Sequence, residues 1–269
     1  MDQVKQIHSL QNPLVKKVLA LKDKSRERRK TGLFVLEGQQ EVQLAIKGKF
    51  ELETLLIYPE VCDDKDFLKS LENLRPRPEF IHVSNEIYKK LAYRETTEGI
   101  LAIAKAKSHR LEDIVLRTEN PFILIAEAPE KPGNIGAMLR TADAANLDAL
   151  IIADPKTDLY NPNIIRSSVG TIFTNQIAMA STSDTIAFLR KKNISILCAA
   201  LTASKIYTHI DFNKPSALVV GTEATGLSEK WLEHSQQNIV IPMAGQIDSL
   251  NVSVSAAILI FEGLRQRGL

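Results

Sequence analysis

"FILIAEAPEKPGNIGAMLRTADAAN", residues 122–146, is an unbroken apolar run, a Pro/Gly loop and an Ala-rich segment. A strand covered on both faces reads as a continuous apolar run rather than an alternation. Strand, loop and helix in that order is the unit of an α/β sheet. Asn134 is placed to cap the helix. Gly133 and Gly136 allow close approach of another backbone or of a phosphate. Counted from that cap, Arg140 falls on the second turn, near enough to the positive helix entrance to share an anionic guest. The plainer alternative for Arg140 is a solvated or salt-bridged side chain.

Working outward, the same kind of run recurs at "ALIIAD" (149–154), "NQIAMA" (175–180), "ISILCAAL" (194–201), "SALVVGTE" (216–223) and "NIVIPMA" (238–244). Helical segments separate most of them. The pattern predicts a six-stranded, mostly parallel sheet covered by helices, with ligands at the carboxyl ends of the strands. Upstream, shorter apolar runs at 33–38, 52–59, 79–84 and 99–106 alternate with helical patterns and predict a smaller α/β domain. The expected division is 1–106 for that domain, 107–121 for a charged linker, and 122–269 for the larger one.

Two more strand ends carry candidate chemistry. In "LVVGTEATGLSEKWL" (218–232), Gly221 and Gly226 bracket Thr222, Glu223 and Thr225, putting a carboxylate at a strand end. The alternative there is a Ser228 helix cap with Glu223 on the surface. In "IVIPMAGQIDSLNVSVSAA" (239–257) the loop enters an apolar helix through Ser249, Asn251, Ser253 and Ser255. Such residues cap helices, and they also supply polar atoms to a ligand. The GxGxxG fingerprint of a dinucleotide site is absent after the first strand of this series.

The chain of 269 residues has a net charge of only +2, unevenly spread. Residues 1–30 hold nine lysines and arginines against three acids, a local +6, leaving −4 for the rest. A concentrated basic arm that includes Lys16, Arg26, Arg28 and Arg29 suits phosphates, although a solvated helix face would read the same way. The two cysteines form no disulfide framework and the five histidines show no ligand spacing, so neither a disulfide scaffold nor a metal site is expected. The start lacks the apolar core of a signal peptide, and no apolar run approaches the roughly 20 residues of a membrane span. A soluble cytoplasmic protein is the expectation.

Taken together, "PGNIGAMLRTADA", "VVGTEATGLS" and "IPMAGQIDSLNVSVSAAILIFE" resemble the three motifs of the SpoU (TrmH-like) branch of the SPOUT RNA methyltransferases. "SLQNPLVKKVLALKDKSRERRKTGLFVLEG" (9–38) resembles the L30e-like substrate-binding domain of rRNA-directed members, including the thiostrepton-resistance type. The resemblance implies an α/β fold with a deep trefoil knot, S-adenosylmethionine bound inside the knot, and a homodimer that completes each site. It implies methyl transfer to a ribose 2′-oxygen, of 23S rRNA more than of tRNA. A non-catalytic RNA-binding or ribosome-assembly factor on the same fold, or a base methyltransferase, are the alternatives. By the same resemblance Leu201, Gly221, Glu223, Ile241, Met243 and Leu250 contact the cofactor. Asn134 and Arg140 face the substrate, Asn251, Ser249 and Glu223 complete the catalytic set, and Arg166 is a further RNA-facing arginine. The family pattern has Gly where this chain has Asn146, and Asn also tolerates the left-handed helix end.

Overall fold

The computed structural model describes residues 5–93, 98–222 and 225–268. The chain divides into two units: residues 1–107 together with 159–174, and residues 108–158 together with 175–269.

The first unit begins with β1 (Lys5–Ile7), α1 (Pro13–Asp23), α2 (Ser25–Thr31), β2 (Leu33–Glu37) and α3 (Gln39–Lys47). It continues with β3 (Leu52–Ile57), α4 (Lys65–Glu72), β4 (Glu79–Val83), α5 (Asn85–Leu91) and β5 (Ile100–Lys105). The Asn12 side chain caps α1 by accepting from Leu14 N at 2.9 Å, and Pro13 presets the first helical φ. Val15, Val18 and Leu21 then line the buried face of α1. The sheet order is β1-β4-β3-β5-β2, with β5 antiparallel to both of its neighbours. The basic leader therefore contains a strand that the sequence pattern does not show. β1 spans three residues, of which Ile7 alone is buried, too short for a period to register.

Arg28 departs from the expected phosphate-binding arm. It is 5% exposed, and its Nη1 donates to the carbonyls of Leu21 at 2.6 Å and Lys22 at 2.9 Å. It thus satisfies two carbonyls near the end of α1 and pins α2 to that helix. Lys16, Arg26 and Arg29 remain exposed.

The second unit holds β6 (Phe122–Glu127), α6 (Pro132–Ala144) and β7 (Ala149–Ala153). The chain then leaves for the first unit, where α7 (Pro162–Ser167) lies. Stacking of Tyr160 on Phe34 (ring centroids 4.2 Å apart) and an edge contact of Phe173 with Phe50 (5.2 Å) hold this excursion there. The second unit resumes with β8 (Ile177–Ala180), α8 (Thr182–Lys191), β9 (Ser195–Ala199), β10 (Ser204–Ile206) and β11 (Ser216–Val220). It ends with α9 (Glu229–His234), β12 (Gln237–Val240) and α10 (Val252–Gln266).

All six expected strands are present in one parallel sheet, but the sheet has seven strands, in the order β10-β12-β9-β11-β6-β7-β8. The extra one, β10, is a three-residue edge strand with no buried residue, so hydrophobicity cannot mark it. Residues 108–121 differ from a free linker as well. Leu111 and Ile114 sit in the same apolar cluster as Ile123, Ile151 and Val219 of the sheet. The end of α6 follows the sequence reading: Asn146 has φ +47°, and its N–H donates to Asp143 O at 3.0 Å.

Candidate functional site

The carboxyl ends of the neighbouring strands β9, β11 and β12 open into three loops. Between the loops lies a cleft of about 450 Å³, within the range that takes a drug-sized ligand. Leu201, Gly221, Ile241, Met243 and Leu250 all line it. The remaining cofactor position, Glu223, which is also in the catalytic set, lies outside the described residues. Leu201 is 68% exposed. Ser249 lines the same cleft, and its hydroxyl donates to the Asp248 carboxylate at 3.0 Å.

Gly221 stands where β11 ends, and a Cβ there would lie 2.3 Å from the carbonyl carbon and oxygen of Gly226. The following turn closes through Thr222 N to Gly226 O (3.1 Å) and Gly226 N to Thr222 O (3.0 Å), with Gly226 at φ +68°. Both glycines are thus required, one for close approach and one for a left-handed backbone.

A second cavity of about 330 Å³ adjoins the cleft, sharing Gly221, Thr222, Thr225 and Val252 with it. Asn134, Lys131, Lys156 and Glu127 are among its lining residues. Asn134 is not the helix cap. Pro132 occupies the first helical position, the cap is Lys131, and Asn134 lies inside the first turn. From there it accepts from Asn251 Nδ2 at 3.1 Å. Asn251 in turn caps α10, its Oδ1 accepting from Ser253 N at 3.0 Å and Ser253 Oγ at 2.6 Å. The polar entry of that apolar helix therefore serves both readings: it caps, and it ties two helix starts together at the cavities.

The earlier start of α6 also moves Arg140 to the third turn, where it is exposed and lines neither cavity.

Two features have no counterpart in the sequence reading. Glu127 ends β6, is 7% exposed, and accepts from Ser228 N at 2.8 Å and Ser228 Oγ at 2.6 Å. Ser228 thus spends its hydroxyl on Glu127 rather than on capping α9. A single acid at a strand end has no sequence signature that pairs it with a serine 101 positions away. Ala128, beside Glu127 in the second cavity, has φ +45°, the kind of local strain that collects at functional sites.

In the first unit, Arg166 is exposed and lies over the Tyr93 ring, 4.1 Å from guanidinium carbon to centroid. Among the described residues no group of three or more His, Cys, Asp or Glu is arranged to hold a metal ion, and no helix is long and apolar enough to cross a membrane.

The cleft residues fit S-adenosylmethionine. Leu201, Ile241, Met243 and Leu250 offer an apolar slot for a purine, and the strand-end backbone at Gly221 and Ile241 offers hydrogen-bonding groups beside it.

Comparison with known proteins accords with this arrangement. Residues 121–261 match the SpoU rRNA Methylase family, and residues 12–102 match the MRM3-like substrate binding domain. The chain is 31% identical to the Bacillus subtilis 23S rRNA (guanosine(2553)-2'-O)-methyltransferase RlmP, over 96% of this chain and 98% of that one. The AdoMet-bound rRNA methyltransferase from Sinorhizobium meliloti superposes with a TM-score of 0.89 at 29% identity, covering 99% of each chain. The SpoU methyltransferase AviRb from Streptomyces viridochromogenes, in complex with AdoMet, gives a TM-score of 0.86 at 27% identity over 95% of this chain and 98% of that one. With its motifs gathered around one cleft and more than half of its length matched, this chain belongs to the SpoU rRNA methylase family.

Proposed function

We propose that this protein transfers a methyl group from S-adenosylmethionine to a ribose 2′-oxygen of large-subunit rRNA. The observation that carries the reading is the cleft that gathers Leu201, Gly221, Ile241, Met243 and Leu250 and opens into the cavity holding Asn134. The rRNA preference rests on relatives that match both units, since two relatives named for 23S rRNA are similar over 96% and 92% of this chain. RNA offers a 2′-hydroxyl at this position and DNA does not.

When bound, S-adenosylmethionine supplies a methyl already activated by sulfonium charge. The chain's task is to hold the acceptor oxygen in line and to assist loss of its proton. Asn134, Asn251 and Ser249 present amide and hydroxyl groups that orient the acceptor ribose. Glu223 adds a carboxylate to this set. A guanidinium holds its proton too firmly to serve as a base. Arg140 instead grips the neighbouring phosphate and stabilises the forming alkoxide. Arg140 is exposed and lines neither cavity of its own chain, and in this reading the homodimer brings it to the acceptor site.

The reading includes a homodimer and a knot. Val254 and Phe261, seven residues apart on α10, are 46% and 50% exposed, an apolar strip suited to a second copy. The place of β12 between β10 and β9, and the return of the tail as α10 against α6 and β11, support the knot. Lys16, Arg26, Arg29 and Arg166 contribute to RNA binding from the first unit. The enzyme works in the cytoplasm, where its two free thiols stay reduced.

The test is transfer of labelled methyl to unmodified RNA separated into tRNA, small-subunit rRNA and large-subunit rRNA. Label confined to large-subunit rRNA and surviving as an alkali-resistant dinucleotide is expected. Absence of label from every fraction overturns the reading in favour of a non-catalytic RNA-binding factor.

A further inference from the structure

The first unit has a cavity of its own, about 230 Å³, that shares no residue with the two cavities of the second unit. Tyr93 lines it, 51% exposed, with the Arg166 guanidinium 4.1 Å and the Lys22 Nζ 5.5 Å from its ring centroid. These groups are held in place without a ligand. The Tyr93 N–H donates to both carboxylate oxygens of Glu37, at 3.0 and 2.8 Å. The Tyr93 hydroxyl and Arg166 Nη2 both donate to Asn163 Oδ1, at 3.2 and 2.9 Å. Lys22 donates to the Leu91 carbonyl, and burial pushes its ammonium below the usual lysine range while Glu37 and Asp23 oppose that shift.

The charges choose the ligand class. Glu37, Glu41 and Glu98 line the cavity against two cations, Lys22 and Arg166. A phosphate would meet an excess of negative charge. A flat neutral ring with N–H donors on its edge meets what it needs: an aromatic–guanidinium stack and carboxylate oxygens with lone pairs to spare. We propose that this cavity holds one unpaired RNA nucleobase, stacked on the Tyr93–Arg166 pair with its amino edge turned to the carboxylates. Guanine, adenine and cytosine carry such an edge and uracil does not. The inference rests on the reading of the chain as an RNA-modifying enzyme. It adds to that reading a site at which the first unit grips a base rather than the backbone.

The experiment uses the full-length protein. Single-stranded oligoribonucleotides with one 2-aminopurine, whose fluorescence falls on stacking, are titrated with the parent, Tyr93→Phe and Tyr93→Ala. Quenching is expected with the first two and not with the third. Tyr93→Ala also raises KM for unmodified rRNA about tenfold to a hundredfold while kcat and S-adenosylmethionine affinity hold, as expected for one lost stack. Ultraviolet crosslinking of the parent protein to the same RNA, followed by peptide mapping, places a crosslink on the peptide that contains Tyr93. Equal quenching by parent and Tyr93→Ala, or crosslinks confined to other peptides, overturns the proposal. Quenching and crosslinking need no methyl transfer. An RNA crosslinked at Tyr93 but never methylated therefore supports this site and removes the catalytic reading alone.

Discussion

Gly221→Ala places one methyl where β11 meets the wall shared by both cavities. The added carbon would lie 2.3 Å from the carbonyl carbon and oxygen of Gly226 and 2.6 Å from Leu227 N. Ordinary carbon contacts begin about an ångström further out, and backbone cannot yield as the end of a long side chain can. The turn must move, and its two closing hydrogen bonds, Thr222 N to Gly226 O and Gly226 N to Thr222 O, are the first to break. Overpacking costs about 1–3 kcal/mol and each of the two broken bonds about 1 kcal/mol, so a total of about 3–5 kcal/mol is expected. In a chain of this size that lowers Tm by roughly 6–20 °C. The shifted wall also weakens S-adenosylmethionine by at least about tenfold. Calorimetric titration with the cofactor, melting curves and rRNA filter binding separate the effects, because the first-unit side chains proposed to bind rRNA are untouched. Parental cofactor affinity together with a parental melting curve would refute the reasoning.

Three further changes test other parts of the structure. Glu127→Ala removes the carboxylate that accepts from the Ser228 N–H and hydroxyl and costs about 2–4 kcal/mol, whereas Glu127→Gln retains both hydrogen bonds, its amide oxygen accepting from Ser228 N and its NH₂ donating to Oγ. Equal loss in the two variants on chemical denaturation would show that the charge, not the hydrogen bonds, matters. Arg28→Ala destabilises by about 2–4 kcal/mol through the freed Leu21 and Lys22 carbonyls. By contrast, Arg29→Ala leaves stability within about 0.5 kcal/mol but lowers the salt slope of rRNA binding by about one; the reverse pattern would contradict the assignment. Burial pushes the Cys198 thiol from its ordinary 9 up to about 11, with a Ser235 hydrogen bond opposing and the Glu127 charge adding. Between those values the unfolded chain has lost a proton that the folded one keeps, so stability is full below pH 9 and falls toward pH 11. The slope is at most about 1.4 kcal/mol per pH unit for this group. Denaturation at about pH 8.5 and about pH 10.5 should show a smaller fall in Cys198→Ala than in the parent.

The six apolar runs of the larger unit were legible because a strand covered on both faces must be apolar throughout, whatever its neighbours. The glycines of the second motif and the polar entry to α10 were legible because close approach, left-handed backbone and exposed helix N–H groups restrict residue type locally. Asn146 was legible for the same reason. Short edge strands escaped because β1 and β10 bury almost nothing, leaving no period to read. The excursion of residues 159–174 escaped because Tyr160 and Phe173 look like ordinary core residues until Phe34 and Phe50 are seen to receive them. Arg28 and Glu127 mark the limit most clearly. A charged side chain reads as solvated in one dimension, and only packing decides that Arg28 meets the Leu21 and Lys22 carbonyls and that Glu127 meets Ser228. Local backbone chemistry is written residue by residue, whereas burial and long-range pairing are properties of the whole packed chain, and those came from the tertiary structure alone.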